Sequence, residues 1–409
     1  MATTTTTASK PVLQIVHISD LHFHVGPAPQ YDSLVKRVIS LVAGANARFG
    51  RWLLDYWEDG RAGHATDALV AFECFLTGQP MPHEPANTPF YPDGVAALSC
   101  GAIPTWLVDT GDLASVGDDV SLQTEIAWVD RMAALLGDSD PIRLYGNHDA
   151  WPNTFPAIAS RATLATHRTN LRKNFFPGAH PLYPRSIPIG TTGNRIDLYR
   201  VNSVIHDKWP NTWARGQLRE DPHWGGAGAK DQLPELAKLV TQKANQQSGD
   251  AFRILLSHHP VHYPPPPPTG VMTLRGAAVV GKQLINSTGG AIGPLAHLVL
   301  SGHTHSLYPG HGTLPPNAGT TRHPPLGLHQ LQLVVGSLSK AIRYAAGSNY
   351  VVDAEPHQFE VLRFFDLPGY PRSLVMKRTV IGRNNGTGRF AFMKVDPSGA
   401  VWETSILDF

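Results

Sequence analysis

Five short segments of the chain are dense in aspartate, asparagine and histidine, whose side chains bind metal ions and transfer protons. They are Ser19-Asp20-Leu21-His22, Thr110-Gly111-Asp112, Gly146-Asn147-His148-Asp149, Ser257-His258-His259-Pro260 and Ser301-Gly302-His303-Thr304-His305. Mixed imidazole and carboxylate donors suit Mn, Fe, Zn, Co or Ni better than they suit Ca, which prefers an all-oxygen shell. The absence of cysteine from these segments argues against a structural zinc site. The segments therefore indicate metal-dependent chemistry.

The spacing within two of the segments allows paired side chains to reach one site. Asp20 and His22 are two residues apart, as are His303 and His305. In an extended backbone, residues i and i+2 project to the same side. Each pair is therefore expected to reach one metal centre or two adjacent ones.

Each segment follows a short apolar run that is typical of a buried strand. In open α/β sheets, ligands bind in the crevice outside the carboxyl ends of the strands, so the five segments are expected at one edge. His17 lies inside the first strand with parity opposite to that of Asp20, which predicts a position in the core or behind the site.

Strands are predicted over 12–19, 105–109, 142–145, 183–204, 252–257, 297–301, 330–336, 348–353, 358–365, 373–381, 390–395 and 400–405. Helices are predicted over 31–57, 65–77, 120–137, 157–174 and 231–245.

Composition and charge bound the class of protein. Of the 409 residues 42% are hydrophobic, which is ample for a core, and the order of strands and helices favours one α/β sandwich over separate domains. We expect a disordered tail over residues 1–10 and a single domain over 11–409, with a β-rich part from about 330 to 409. Two cysteines, Cys74 and Cys100, exclude a disulfide scaffold.

Net charge and the pattern of apolar residues indicate which partners and location to expect. A net charge of +2 provides no general field for a nucleic-acid backbone, so a nucleic-acid partner is disfavoured. The sequence shows no secretory leader pattern and no apolar run of the roughly 20 residues that span a bilayer. We therefore expect a cytoplasmic protein with no membrane partner, and the oligomeric state is left open.

Taken together and in order, the patterns D-x-H, G-D, G-N-H-D, H-x-P and G-H-x-H resemble those of the calcineurin-like metallophosphoesterases. Among the branches of this superfamily, the patterns are most similar to those of the small-molecule and cyclic-nucleotide phosphodiesterases. The patterns lie between residues 20 and 305, and we extend the resemblance to about residue 380. The resemblance implies a four-layer αββα sandwich, in which two mixed β-sheets lie between flanking helices. It also implies two divalent or trivalent metal ions, with Mn, Fe or Zn preferred and Co or Ni as alternatives.

The resemblance further implies a role for each residue of the patterns. The first metal would be held by Asp20, His22 and His305, the second by Asn147, His258 and His303, and Asp112 would bridge the two. His148 would be catalytic, stabilising charge or protonating the leaving alkoxide. Asp149 would orient His148 through a hydrogen bond. His259 is the alternative ligand to His258 and otherwise a neighbour of the site.

Further residues are candidates for substrate contact. His24 either contacts substrate or lies in a solvated loop. The loop 206–229 contains three tryptophans, which either stack on a base or aromatic leaving group or cover the edge of the sandwich. The run Pro264–Pro268 either walls the site or recognises an outside partner. The candidate substrate-binding residues are His24, His259, His206, Trp209 and Tyr263.

The implied reaction is hydrolysis of a phosphoester by in-line attack of a metal-bridging hydroxide, with His148 assisting the leaving group. We expect a phosphodiesterase that acts on small molecules. A monoester carries nearly two charges and favours an arginine-rich pocket, whereas Arg143 and Arg253, the arginines closest to the patterns, lie inside predicted strands. The alternatives are a phosphomonoesterase or protein phosphatase with the same metals and a non-catalytic scaffold of the same fold. The scaffold is disfavoured because every ligand-type residue is present.

Overall fold

A computed structural model of the chain shows how these segments are arranged. It describes residues 11–23, 66–85, 98, 103–114, 117–151, 161–175, 184–190, 193–204, 216, 218, 232–261, 274, 277–286, 293–310, 312–314, 331–339, 342–344, 350–352, 356–384, 386–394 and 397–409. The predicted tail over 1–10 and the predicted helix over 31–57 lie outside the described residues. The division into a tail and one domain over 11–409 stays a prediction.

The described elements alternate between strands and helices at first and are almost all strands later. In chain order they are β1 (Pro11–Ile18), α1 (Thr66–Thr77), β2 (Thr105–Asp109), α2 (Asp119–Leu135), β3 (Ile142–Arg143), α3 (Arg161–Phe175), β4 (Arg185–Pro188), β5 (Arg195–Arg200), α4 (Gln232–Gln246), β6 (Ala251–Leu256), α5 (Ala277–Asn286), β7 (Leu298–Ser301), β8 (Leu331–Val334), β9 (Ile342–Tyr344), β10 (Tyr350–Val352), β11 (Gln358–Asp366), β12 (Ser373–Arg383), β13 (Phe390–Phe392) and β14 (Glu403–Asp408).

Two larger sheets carry the fold, and both are mixed. The first has the order β13-β12-β11-β1-β2-β3, and β14 also pairs with β12. In it β1, β2 and β3 are parallel, whereas β11 pairs with β1 antiparallel and places Glu360 opposite His17. The second sheet has the order β4-β5-β6-β7-β8, in which only the β4–β5 pairing is antiparallel. A separate antiparallel ribbon joins β9 and β10.

Alternation along β1 separates the core into layers. Leu13 and Ile15 point into an apolar cluster between the two sheets, where they share the space with Ile254 of β6 and Leu300 of β7. Successive strand residues face opposite sides, so Val16 and Ile18 lie in a second cluster against the helices.

Helices cover the outer face of each sheet. The cluster outside the first sheet includes Phe72 of α1 and Met132 of α2. The cluster outside the second sheet includes Leu236 of α4 and Leu284 of α5. The predicted αββα sandwich of two mixed sheets is confirmed.

The helix α5 was not predicted from the sequence. Its segment contains Gly281 and adjacent Val279 and Val280, which weaken the helical pattern. Val280 and Leu284, one turn apart, pack onto the second sheet. This packing stabilises the helix although the intrinsic helix propensity of the segment is low. None of the described helices is long and apolar enough to cross a membrane.

Candidate metal centre

The five segments follow strands whose carboxyl ends meet at one edge of the two sheets. Segments at residues 19–22, 110–112 and 146–149 follow the adjacent parallel strands β1, β2 and β3. Segments at 257–260 and 302–305 follow the adjacent parallel strands β6 and β7. The topology therefore brings ligand-type residues from both sheets to a common place.

Hydrogen bonds tie the connecting loops to one another. The backbone N–H groups of Asp20 and His22 donate to the carbonyls of Gly111 and Asp112, both at 2.9 Å. The backbone N–H of His303, which comes from the other sheet, donates to Asp20 Oδ2 at 2.9 Å. These hydrogen bonds thus fix the loops that carry the candidate ligands relative to one another.

Glycines allow the loops to approach so closely. A Cβ at Gly146 would lie 2.1 Å from Asp112 Oδ1, and a Cβ at Gly302 would lie 2.6 Å from Asp20 Oδ2. Real Cβ atoms do not come this close to other heavy atoms. Any side chain at either position would displace a candidate ligand.

The backbone at the candidate ligands is left-handed rather than extended. Of the residues that the structure describes, the non-glycine residues with positive φ are Asp20 (56°), His22 (49°), Asp112 (55°), His303 (70°) and His305 (54°). The expectation that extended backbone aligns the i and i+2 pairs was wrong, because each of these residues takes a sharp turn after its strand. Such conformations cost about 1–3 kcal/mol each and cluster at functional sites.

One group of donors consists of Asp20, His22 and His305, here called the first donor cluster. His22 Nε2 lies 3.1 Å from His305 Nε2, and His305 Nε2 lies 3.2 Å from Asp20 Oδ1. All three side chains are buried. Two imidazole nitrogens and a carboxylate oxygen thus converge on one point.

A second group consists of Asn147, His258 and His303, here called the second donor cluster. His258 Nε2 lies 3.1 Å from Asn147 Oδ1, and the rings of His258 and His303 are 4.9 Å apart. Asp112 lies between the clusters, because its Oδ2 is 3.3 Å from His258 Nε2 and 3.9 Å from His22 Nε2. The structure therefore brings all seven predicted ligands together, and the assignment of each to one of two ions stays a prediction.

Neighbouring charges within the site shift the pKa values of its carboxyl groups and imidazoles. Burial opposes ionisation of Asp112, but the positive charges of His258 and His148 outweigh it and hold the pKa of Asp112 well below its usual range. Burial likewise disfavours the charged form of His258, but Asp112 and Asp20 raise the pKa of His258 to about 9. Burial and the charge of His258 lower the pKa of His303 to about 3. At neutral pH the site thus contains ionised carboxylates and a proton on His258, which a metal ion would displace.

His148 lies beside the donors: one of its ring nitrogens is within 4.8 Å of donor atoms of His22 and Asp112, and its role as a non-ligand stays a prediction. Its ring meets that of His22 edge to face at 4.6 Å, and its backbone N–H donates to Asp112 Oδ1 at 2.8 Å. The ring also packs against that of Trp151, with the centroids 4.4 Å apart and 32° between the planes. Sequence reasoning missed Trp151, although its spacing of three residues after His148 was a usable signal.

Asp149 holds the loops that carry the donors. Its carboxylate accepts hydrogen bonds from the backbone N–H groups of Ala114 at 2.7 Å, Gly146 at 2.8 Å and Leu113 at 3.2 Å. Burial and the nearby charge of Asp112 raise the pKa of Asp149 to about 7. These contacts support the loops around Asp112 and Asn147, and a direct orienting role toward His148 stays a prediction.

The two adjacent histidines after β6 have different surroundings. His258 directs Nε2 to Asp112 and Asn147, while its Nδ1 lies 2.8 Å from the Thr110 carbonyl, to which it donates. His259 turns the other way, with Nδ1 2.8 Å from Ser203 Oγ and its ring 4.2 Å from that of His303. Donor atoms of His258, His259 and His303 nevertheless lie within 4.8 Å of one another, so the choice of His258 over His259 as the ligand stays a prediction. Ser203, which holds His259, was not predicted as a site residue.

The other predicted substrate contacts lie outside the described residues, and they are His24, His206, Trp209 and Tyr263. The proline run also lies outside them, as does the Trp-rich loop apart from residues 216 and 218. Arg143 and Arg253 lie in strands, as expected. Arg143 pairs with Asp130 on α2 and Arg253 donates to the Pro294 carbonyl, so both contacts lie away from the donors.

The donor chemistry fits the metal pair that the resemblance implies. In the first cluster, buried Nε2 atoms and a carboxylate oxygen converge at 3.1–3.2 Å. At the second cluster, His258 Nε2 lies 3.1 Å from the amide oxygen of Asn147 and 3.3 Å from the carboxylate of Asp112. Imidazole with carboxylate suits Mn, Fe and Zn, and the Nδ1 contact of His258 leaves its Nε2 free to face an ion.

Comparisons with known proteins bear on these observations. A sequence model of the calcineurin-like phosphoesterase family matches residues 13–307. No curated protein matches the chain. Among solved structures, the Thermus thermophilus sulfate thiohydrolase SoxB in complex with glycerol is similar at 12% identity and a TM-score of 0.34, over 98% of this chain and 57% of that chain. This chain thus corresponds to little more than half of that structure. The match over residues 13–307 contains all five donor segments, and the chain belongs to the calcineurin-like phosphoesterase family.

Proposed function

We propose that the protein is a metal-dependent phosphodiesterase that hydrolyses small-molecule diesters. The observation that carries the proposal is the position of Asp112, whose Oδ2 lies 3.3 Å from His258 Nε2 and 3.9 Å from His22 Nε2. A carboxylate shared by two donor clusters supports a pair of ions. One ion would be held by Asp20, His22 and His305. The other ion would be held by Asn147, His258 and His303, and Asp112 would contribute to both sites. When bound, two such ions supply Lewis-acid stabilisation of a phosphoryl group and lower the pKa of water.

The protein's own side chains provide the remaining steps. The ring of His148 packs against those of His22 and Trp151, and we propose that His148 donates a proton to the leaving oxygen. Asp149 keeps the loops of Asp112 and Asn147 in place through its three backbone hydrogen bonds. His259, held by Ser203, is proposed to contact the substrate.

The preference for a diester rests on charge. A diester carries one negative charge, whereas a monoester carries nearly two and gains more from arginine. Arg143 and Arg253 are engaged with Asp130 and Pro294, away from the donors. The described part of the site thus supplies imidazoles, carboxylates and one amide, which favours the substrate of lower charge.

The proposal is tested by steady-state kinetics on matched esters. Protein stripped of metal is reconstituted with Mn, Fe, Zn, Co or Ni, and kcat/KM is measured for bis-(p-nitrophenyl) phosphate and p-nitrophenyl phosphate. We expect the diester to be preferred by about tenfold or more, equivalent to about 1.4 kcal/mol in the transition state. A tenfold preference for the monoester would replace the proposal with a phosphomonoesterase.

A matched control separates activity of this site from contaminating phosphatase. Replacing Asn147 by Ala removes a donor of the second cluster without adding charge, so the variant should lose both ester activities together. Reconstituted protein that hydrolyses neither ester, while binding metal fully, would support the scaffold alternative.

A further inference from the structure

A chain of buried polar contacts runs from the metal centre into the C-terminal strands. Thr110, whose carbonyl accepts the Nδ1 hydrogen bond of His258, lies with its Oγ1 3.1 Å from His17 Nε2. His17 Nδ1 lies 2.7 Å from Glu360 Oε1 on β11. Because a carboxylate only accepts, this nitrogen carries the hydrogen. Glu360 Oε2 in turn accepts from Arg378 Nε of β12 at 2.7 Å.

A second branch leads from Arg378 to the segment that follows the other ligand loop. Arg378 Nη1 donates to the Pro309 carbonyl at 2.9 Å and lies 3.2 Å from Glu403 Oε1 of β14. Glu403 Oε2 accepts the backbone N–H groups of Gly312 at 3.0 Å and Leu314 at 3.1 Å. This segment begins only a few residues after His305.

These groups are almost completely withdrawn from water. The side chains of His17, Glu360 and Arg378 are fully buried, and that of Glu403 is 6% exposed. Burial opposes ionisation of Glu360, but the charge of Arg378 and the hydrogen bond from His17 lower its pKa below the usual range. Replacing a buried ion pair by well-packed apolar side chains is often neutral or stabilising, so stability of the fold does not by itself account for the arrangement.

We propose that His17, Glu360, Arg378 and Glu403 form a positioning network for the metal centre, here called the C-terminal ionic network. It fixes His258 through Thr110 on one side and the chain after His305 through Pro309 on the other. The inference rests on the proposed metal centre and adds to it. Three of the four members lie beyond residues 13–307, so part of the support for the donors comes from outside the family match.

The test measures binding of Mn²⁺ or Zn²⁺ to metal-free full-length protein by titration calorimetry. Thr110→Val removes the hydroxyl that faces His17 while keeping the shape of the side chain, and Thr110→Ser retains the hydroxyl. We expect Thr110→Val to weaken at least one of the two metal equivalents about 10–100-fold, the usual cost of losing a group that supports a ligand. Thr110→Ser should restore the wild-type affinity, which a general loss of packing would not explain.

Arg378→Met extends the test to the far end of the network. Its matched control is Lys377→Met, the exposed neighbour on β12, whose amine lies over the Phe365 ring. We expect Arg378→Met to weaken metal binding to a similar degree and Lys377→Met to leave it unchanged. Wild-type affinity for both equivalents in folded Thr110→Val, or in folded Arg378→Met, would overturn the inference.

If Arg378→Met does not fold, the Thr110 pair decides the question. Wild-type protein is titrated first, so that the two proposals can fail separately. Failure of the wild type to bind two equivalents would refute the proposed metal centre and the network role with it. Two wild-type equivalents with unaltered Thr110→Val refute the network role alone.

Discussion

The two donor clusters share Asp112 but are held in place by different means. In the first cluster all three residues, Asp20, His22 and His305, have left-handed backbone. In the second, His303 is also left-handed but Asn147 and His258 are not, and His258 is fixed by its hydrogen bond to the Thr110 carbonyl. The first cluster thus depends on backbone conformations that the fold must stabilise, whereas the second depends more on side-chain hydrogen bonds. The clusters should therefore respond differently to mutation and to pH.

The largest expected effect comes from removing what the clusters share. In Asp112→Ala both metal equivalents should weaken, because one carboxylate serves both groups of donors, and activity should fall to background. Metal content measured after equilibrium dialysis checks this. Asn147→Ala, the control in one cluster only, should keep one equivalent. Retention of one wild-type equivalent by Asp112→Ala would mean that the carboxylate is not shared.

The next effect concerns His148, whose ring meets that of His22 in the first cluster edge to face. His148→Ala should retain both metal equivalents and lose about 10²–10⁴-fold in kcat, the usual range for a positioned acid. The loss should be smaller for esters with good leaving groups, which need little protonation. A plot of log kcat against leaving-group pKa for both proteins tests this, and parallel lines would count against proton donation.

A smaller effect should distinguish the clusters by pH. Ion binding at His258 requires loss of a proton whose pKa is raised to about 9 by Asp112 and Asp20. Affinity of the second cluster should therefore rise about tenfold per pH unit up to about 9, because each unit increases the deprotonated fraction tenfold. Calorimetry at pH 7, 8 and 9 in buffers of different ionisation enthalpy would count the released protons. Binding of both equivalents without any pH dependence would contradict this difference.

The smallest effect tests the backbone itself. At His22, with φ of 49°, His22→Gly should be more stable than His22→Ala by about 1 kcal/mol, because glycine adopts positive φ without strain. At His258 the order should reverse, with Ala more stable than Gly by about 0.5–1 kcal/mol. Each pair removes the same imidazole, so the loss of ligand cancels. Chemical denaturation of the four metal-free variants gives both differences, and the same sign at both positions would refute the comparison.

Sequence alone was sufficient for the layers and for the segments whose side chains the structure brings together. Apolar runs followed by Asp, Asn or His placed the segments at strand ends, since a buried strand and its polar end are both local patterns. The left-handed turns were not predictable in this way, because they arise from hydrogen bonds such as that of Asp20 with Gly111 across two loops.

Contacts between distant parts of the chain were also missed. Parity predicted that His17 lies in the core or behind the site, and it is indeed buried. Its partner Glu360, however, is 343 residues away, and no local pattern connects the two. Similarly, β3 ends at Arg143 although the apolar pattern continues to Tyr145, because the chain leaves the sheet to enter the turn at Gly146.

The central place of β1 has a consequence for how the protein is made. This strand lies between β2 and β11, so one of its edges pairs with a strand about 340 residues later in the chain. At translation rates of 5–20 residues per second, that delay is roughly 17–70 s on the ribosome. Until then, the β11 side of β1 exposes unpaired amides, and His17 lacks its carboxylate. The nascent polypeptide therefore cannot complete its first sheet during most of its synthesis.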